Sequence, residues 1–236
     1  MASAGEHDTK SLRDVFDEAR ALAMPLAQRL GHLDRGLRDL GPEWAAAYDV
    51  MVKTLTDAKA GAGAPRAGAP FPRFLLPDEI GQLIDSATLL AKGPLVVSFN
   101  RGHWCEFCLL ELNGLDEIAA AVSTLGASIV AIMPERTGFT RRCRADNRLT
   151  FPILSDIDLS LALALGLAIP VSPRVLDLLR ADGVLLAEVQ GSAGWLLPIP
   201  ATFVVARDGT IAACHVDPDF RQRLEPADIL AALRSL

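Results

Sequence analysis

The sequence predicts an α/β protein: a mixed central sheet flanked by helices, with a helical extension at the N-terminal side. Three observations predict it. Two short apolar runs, 95–99 and 128–132, bracket a helix-length amphipathic stretch, the pattern of buried parallel strands joined by a crossover helix. Two later apolar runs, 202–205 and 210–213, flank Arg207-Asp208-Gly209, and an Asp-Gly turn between such runs signals an antiparallel hairpin. Helical periodicity dominates residues 11–60.

In the extension, Leu12, Val15, Phe16 and Ala19 fall on one helical face, and Trp44, Tyr48, Met51, Val52 and Leu55 on another. Gly31 and the Gly41-Pro42 pair punctuate this region. Residues 61–72 are rich in Gly, Ala and Pro and have the composition of a linker, so the expected division is 1–70 for extension and linker and 71–236 for the catalytic domain. After the strand at 95–99, the side chains Cys108, Leu112, Leu115, Ala119 and Val122 share a helix face that Gly126 ends. Further along, a helix is expected at 137–148 and a short strand at 151–154. Asp158 should cap a helix over 159–166. Ser172-Pro173 supplies a cap with proline at the first helical position, and residues 226–234 close the chain as a helix.

Half of the 236 residues are hydrophobic, enough for a sizeable core, and the net charge is −6. That acidic balance argues against a nucleic-acid partner, which needs clustered cations. The one basic cluster, Arg141, Arg142, Arg144 and Arg148, has the form of a solvated helix face. The stretch from Met1 to Lys10 lacks the apolar segment of a secretory signal. The longest uncharged runs, 159–173 and 189–206, are interrupted by Gly and Pro rather than built as membrane spans. The expectation is a cytoplasmic protein with no membrane or nucleic-acid partner.

Chemistry concentrates in Trp104-Cys105-Glu106-Phe107-Cys108. Four cysteines are too few for a disulfide scaffold at this length, and a close pair in a reducing compartment points to catalysis or metal binding. Cys105 falls where a buried strand passes into a helix. Unpaired N–H groups and the helix dipole there favour the thiolate, the form that attacks peroxides and disulfides. Arg101 and His103 push the same way, and Glu106 opposes them. Cys108, one turn on and at the start of the apolar face, is placed to close a disulfide with Cys105. Cys105 is thus the expected nucleophile and Cys108 the resolving thiol. Half a zinc site and an inert core pair are the other readings of this spacing. Zinc wants further ligands, whereas Cys143 stands alone and Cys214 and His215 are adjacent on an expected strand and face opposite sides.

The stretch Phe99-Asn100-Arg101-Gly102-His103-Trp104-Cys105-Glu106-Phe107-Cys108, with Glu111-Leu112, resembles the peroxiredoxin-like group of the alkyl hydroperoxide reductase/thiol-specific antioxidant (AhpC/TSA) family. Phe151-Pro152-Ile153-Leu154-Ser155-Asp156 and the segment 197–211 are similar to later parts of that family, so the resemblance covers 70 to 236. It implies a thioredoxin fold and thiol-based redox activity on a hydroperoxide or a disulfide. It also implies a thioredoxin-like or low-molecular-weight thiol as reductant, no cofactor and no metal, and it is compatible with a homodimer. Pro200 would be a cis-proline facing the active cysteine. Two positions depart from the family pattern. The Thr expected three residues before the nucleophile is Gly102, and the Arg expected three residues before Phe203 is Pro200. Both losses remove donors that a breaking O–O bond needs, and Arg101 or His103 are the residues at hand to replace them. Trp104 and Pro200 are features of thioredoxin-like dithiol oxidoreductases, and Glu106 replaces the Pro usual after the first Cys. Three functions follow: a thiol peroxidase, a thiol–disulfide oxidoreductase, and a redox-responsive interaction protein that binds a partner through residues 11–60.

Overall fold

A computed structural model of the chain describes residues 10–236; the expectation for the opening residues lies largely outside this range. Three helices come first: α1 (Leu12–Ala21), α2 (Leu26–Leu40) and α3 (Pro42–Asp57). Each starts for a local reason. Ser11 and Asp14 form a reciprocal capping box on α1. α2 follows Pro25, which has no capping side chain, and its free amides at Leu26 and Ala27 are taken by the distant Glu225 carboxylate at 3.0 and 2.8 Å. α3 opens with proline at its first turn. Gly31 lies inside α2, which runs through it without a break.

A hairpin of β1 (Leu75–Pro77) and β2 (Leu83–Asp85) and a short helix α4 (Ser86–Lys92) lead into the central sheet. The expected strand–helix–strand unit is β3 (Leu95–Phe99), α5 (Glu106–Thr124) and β4 (Ser128–Met133), followed by α6 (Thr137–Asn147) and β5 (Ile153–Ser155). Then come α7 (Ser160–Ala164), β6 (Ala168–Pro170), α8 (Pro173–Ala181), α9 (Leu186–Gln190), β7 (Leu196–Pro198), β8 (Ala201–Val205), β9 (Ile211–Val216) and α10 (Pro226–Arg234). The main sheet has the order β5-β4-β3-β8-β9. β3 pairs in parallel with β4, and β4 with β5; β8 is antiparallel to both β3 and β9. This is the mixed sheet of the thioredoxin fold. β3, at its centre, is buried at every residue, as its uninterrupted apolar sequence requires.

Helices α1 and α2 pack on α5, and the apolar faces of the extension (Phe16, Leu30, Leu33, Tyr48, Met51) join the same core as β3 and β4. Arg29, buried on α2, ties the layers together: it donates to the carbonyls of Ala19 and Arg20 that end α1 and to Glu117 on α5. Residues 61–72 do not hang free. The amides of Gly68 and Phe71 bond to the carbonyls of Ile211 and Gly209, and Ile211 donates back to Ala69, so the segment lies along the outer hairpin strand. The helix expected at 159–166 is shorter, and Asp158 accepts only from Ser160. Asp156 takes the deeper amides of Leu161 and Ala162, because Leu159 turns through a left-handed conformation that brings the earlier carboxylate under the helix.

Candidate active site

The site forms where β3 ends and α5 begins. Cys105 is the N-cap of α5, and its sulfur accepts the Cys108 amide at 3.3 Å, which a cap residue does with oxygen in ordinary helices. Cys108 follows one turn later. Both are buried, at 2% and 0% exposure, and their sulfurs share a hydrogen bond at 2.7 Å. Closing to a bond of about 2.05 Å needs a movement below one ångström.

Two guanidinium groups face the pair. Arg101, 2% exposed, donates from Nε and Nη2 to the Cys105 sulfur at 3.4 and 3.1 Å. Its planar group stacks 3.7 Å from the Phe220 ring centre and touches Tyr48 and Trp104; weakly hydrated arginine suits such an aromatic enclosure. Burial works against its charge, but the neighbouring Cys105 and Tyr48 groups outweigh burial and keep it protonated. Arg223 donates to the Cys108 sulfur at 3.5 Å and is ion-paired with Glu111 on α5. Glu111 is held in turn by Thr202 and Ser98 at 2.6 and 3.3 Å. Arg223 is thus matched by Glu111, while Arg101 has no carboxylate in ion-pair contact among the described residues and faces the Cys105 sulfur directly.

The thiols titrate as a pair sharing one proton. For Cys105, burial and then the hydrogen bond with Cys108 hold the thiol well above its usual range. For Cys108, burial also opposes ionisation, but the hydrogen bond with Cys105 and the charges of Arg223 and Arg101 override it and bring the thiol well below that range. A helix N-terminus alone favours the charge on Cys105; the hydrogen bond between the sulfurs and the charges of Arg223 and Arg101 favour it on Cys108, one proton shift away.

The remaining expected residues divide. His103 is half-buried, stacks on Phe139, and is committed to Glu135: its backbone amide and Nδ1 both meet that carboxylate, the latter at 2.9 Å. Glu135 is fully buried, and burial raises its pKa despite His103. Glu106 is also raised, again by burial. A Cβ at Gly102 would overlap Glu135 Oε1 and Trp104 Nε1, so this turn closes only around glycine. Pro200 is buried, and the β3–β8 register, Phe99 against Ala201, sets it opposite Asn100. It is not a cis-proline: no described peptide bond is cis. The ladder begins at Ala201, so a proline without an N–H fits there in the default trans form. Cys143 is buried, which pushes its thiol up and disfavours the reactive thiolate. Among the described residues no group of three or more His, Cys, Asp or Glu side chains is placed to hold a metal ion.

A sequence model of the AhpC/TSA family matches residues 67–214, more than half of the chain. The chain belongs to the AhpC/TSA family. Solved structures of low identity share the fold. Peroxidoxin BcpB of Mycobacterium tuberculosis is 22% identical with a TM-score of 0.57, over 72% of this chain and 97% of that one. AhpC of the same organism is 18% identical with a TM-score of 0.54, over 73% and 93%. Peroxiredoxin Q of Xanthomonas campestris is 17% identical with a TM-score of 0.53, over 73% and 96%. No curated protein sequence matches the chain. Within this AhpC/TSA chain, Arg101 and Arg223 stand by the sulfurs while the two expected family positions hold Gly102 and Pro200. Sequence reasoning found Arg101. It missed Arg223, Glu135, Tyr48 and Phe220, which reach the site from other segments. Glu111 did carry a signal, as an acid one turn after Cys108 on an otherwise apolar helix face.

Proposed function

We propose that the protein reduces hydroperoxides through a Cys105/Cys108 dithiol–disulfide cycle. The observation that carries this reading is Arg101. Two of its N–H groups face the Cys105 sulfur, and its Nη1 is buried without a hydrogen-bond partner among the described residues. A buried unpaired donor on a cation is costly, and it belongs to the same guanidinium that faces the sulfur, which leaves a donor to spare for a peroxide oxygen. In this reading the shared proton moves to Cys108 and the Cys105 thiolate attacks one peroxide oxygen. The O–O bond breaks, the departing oxygen takes a proton and leaves as the alcohol, or as water from hydrogen peroxide, and Cys105 becomes a sulfenic acid. The Cys108 sulfur then attacks Cys105, hydroxide departs and is protonated to water, and the disulfide forms. An external dithiol of the thioredoxin type returns two electrons and two protons. Arg101 stabilises the charge growing on the leaving oxygen, the task of the absent family Thr and Arg.

Residues 71–236 carry the chemistry in this scheme, and the described part of the extension, through Tyr48, covers Arg101 beside it. A cytoplasmic location suits a dithiol that must be re-reduced, and no described helix is long and apolar enough to cross a membrane. The interaction-protein reading loses support because the apolar faces of α1, α2 and α3 are spent inside the chain's own core. The deciding measurement is the stopped-flow rate of the reduced protein with hydrogen peroxide, with Cys105→Ser as control. A rate no faster than that of free cysteine removes the peroxidase reading and leaves disulfide exchange. In a Cys108→Ser variant the sulfenic acid is expected on Cys105; finding peroxide to oxidise Cys108 in Cys105→Ser at the full rate would reverse the roles.

A further inference from the structure

A cavity of ≈ 280 Å³ lies beside the catalytic turn. Its outer wall comes from the extension: Leu12, Leu33, Leu37, Trp44 and Tyr48. All five precede residue 67, where the family match begins, so the cavity is an addition to the AhpC/TSA core. Its inner wall is Trp104, Glu106 and Phe107, the residues that flank Cys105. Tyr48 and Trp104 both touch the Arg101 guanidinium that donates to the Cys105 sulfur. The space therefore ends one side chain away from the reacting atom.

We infer that this cavity binds the apolar body of the substrate, a single uncharged ring or short branched alkyl group carrying the hydroperoxide, and that it turns away carboxylates. The inference rests on the peroxidase reading for its chemistry and on the cavity for its selectivity. Size sets the class: ligand pockets run from about 300 to 1,000 Å³, and a space at the small end holds one ring, not a long acyl chain. The lining sets the polarity. Aromatic rings and leucines surround the ligand, which favours flat or branched apolar groups. The polar groups among the lining residues that carry charge are carboxyls, Glu106 and Asp182. Asp182 is exposed and fixed by the Trp44 indole N–H at 3.0 Å, so an anionic substrate meets like charge at the wall.

The probe is 2-phenyl-2-propanol, the unreactive alcohol of cumene hydroperoxide. Two of the chain's three tryptophans, Trp44 and Trp104, line the cavity, so binding should change their fluorescence saturably. The same ring bearing a para-carboxylate should bind about tenfold more weakly, and Asp182→Asn, which keeps an acceptor for Trp44, should narrow that gap. Leu12→Phe and Val184→Phe fill the cavity from half-buried positions. Each should weaken probe binding about tenfold and lower the ratio of cumene hydroperoxide to hydrogen peroxide kcat/KM by a similar factor. Absence of saturable binding by the folded wild-type chain overturns the inference, as does binding that ignores both filling variants while circular dichroism shows them folded. Probe binding with no peroxide consumed would leave the cavity standing and remove the peroxidase reading. Rapid peroxide reduction without probe binding or size preference would do the reverse.

Discussion

Replacing Arg101 by methionine tests the electrostatics of the site. Methionine keeps an unbranched chain of similar reach and removes the charge and both donors to the Cys105 sulfur, now at 3.1 and 3.4 Å. An opposite charge at this range lowers an acid's pKa by about 1–3 units. Taking about 2 units, the loss is ~2.7 kcal/mol of thiolate stabilisation. The thiolate fraction near neutral pH then falls by up to about 100-fold. Part of this returns, because a more basic thiolate is a better nucleophile with a slope of about 0.4–0.5, worth about tenfold over 2 units. The variant should alkylate with iodoacetamide about tenfold more slowly at neutral pH and about tenfold faster above its own pKa. Crossing pH–rate profiles are the signature. Superimposed profiles would refute the assignment of Arg101 as the residue that charges the pair. A uniform loss at every pH would mean that the variant has only lost shape.

Three other outcomes are expected. Gly102→Thr restores the residue of the family pattern, but its Cβ overlaps Glu135 and Trp104; it should cost about 1–3 kcal/mol in urea unfolding and bring no gain in peroxide rate. Arg223→Met strands Glu111 as a buried charge and should cost about 3–5 kcal/mol, whereas Arg223→Met with Glu111→Leu should recover most of it; equal losses in both would show that an unpaired Glu111 charge is not the cause. Glu106 has its folded pKa raised by burial above the ordinary value of 4.5, so its contribution to stability is full below that value and is lost as pH rises through the folded pKa. Glu106→Gln, fixed in the neutral form, should therefore melt higher than wild type at pH 7 and equal it in acid; a lower melting temperature at pH 7 would contradict this.

The fold was legible wherever the pattern was long and local. β3 and β4 are continuous apolar runs, α5 has an apolar face, and the hairpin carries its Asp-Gly turn, so each could be placed from neighbours in sequence. Of the five three-residue strands, β5 is marked by the apolar run at 151–154, whereas β1, β2, β6 and β7 are too short to show periodicity and are formed by pairing rather than propensity. Residues 61–72 have a tether's composition, yet their backbone amides find partners on the hairpin, a long-range outcome that composition does not encode. In the site, the Cys105/Cys108 spacing and nearby Arg101 were legible because one turn of chain contains them. Arg223, whose charge adds to the hydrogen bond between the sulfurs in favouring the Cys108 thiolate, lies beyond the hairpin and meets Cys108 only after the sheet has closed. The expected cis form of Pro200 came from resemblance, and the local ladder gave it no reason to form.

The aromatic enclosure of Arg101 joins parts of the chain made at very different times during synthesis. Tyr48 emerges early, Trp104 midway and Phe220 near the end, and Arg223 later still. Until all have come together, the cysteines are ordinary thiols, with pKa near ~8.5 and little reactivity. The charged, enclosed setting of the two sulfurs is therefore a property of the assembled chain and of none of these segments alone.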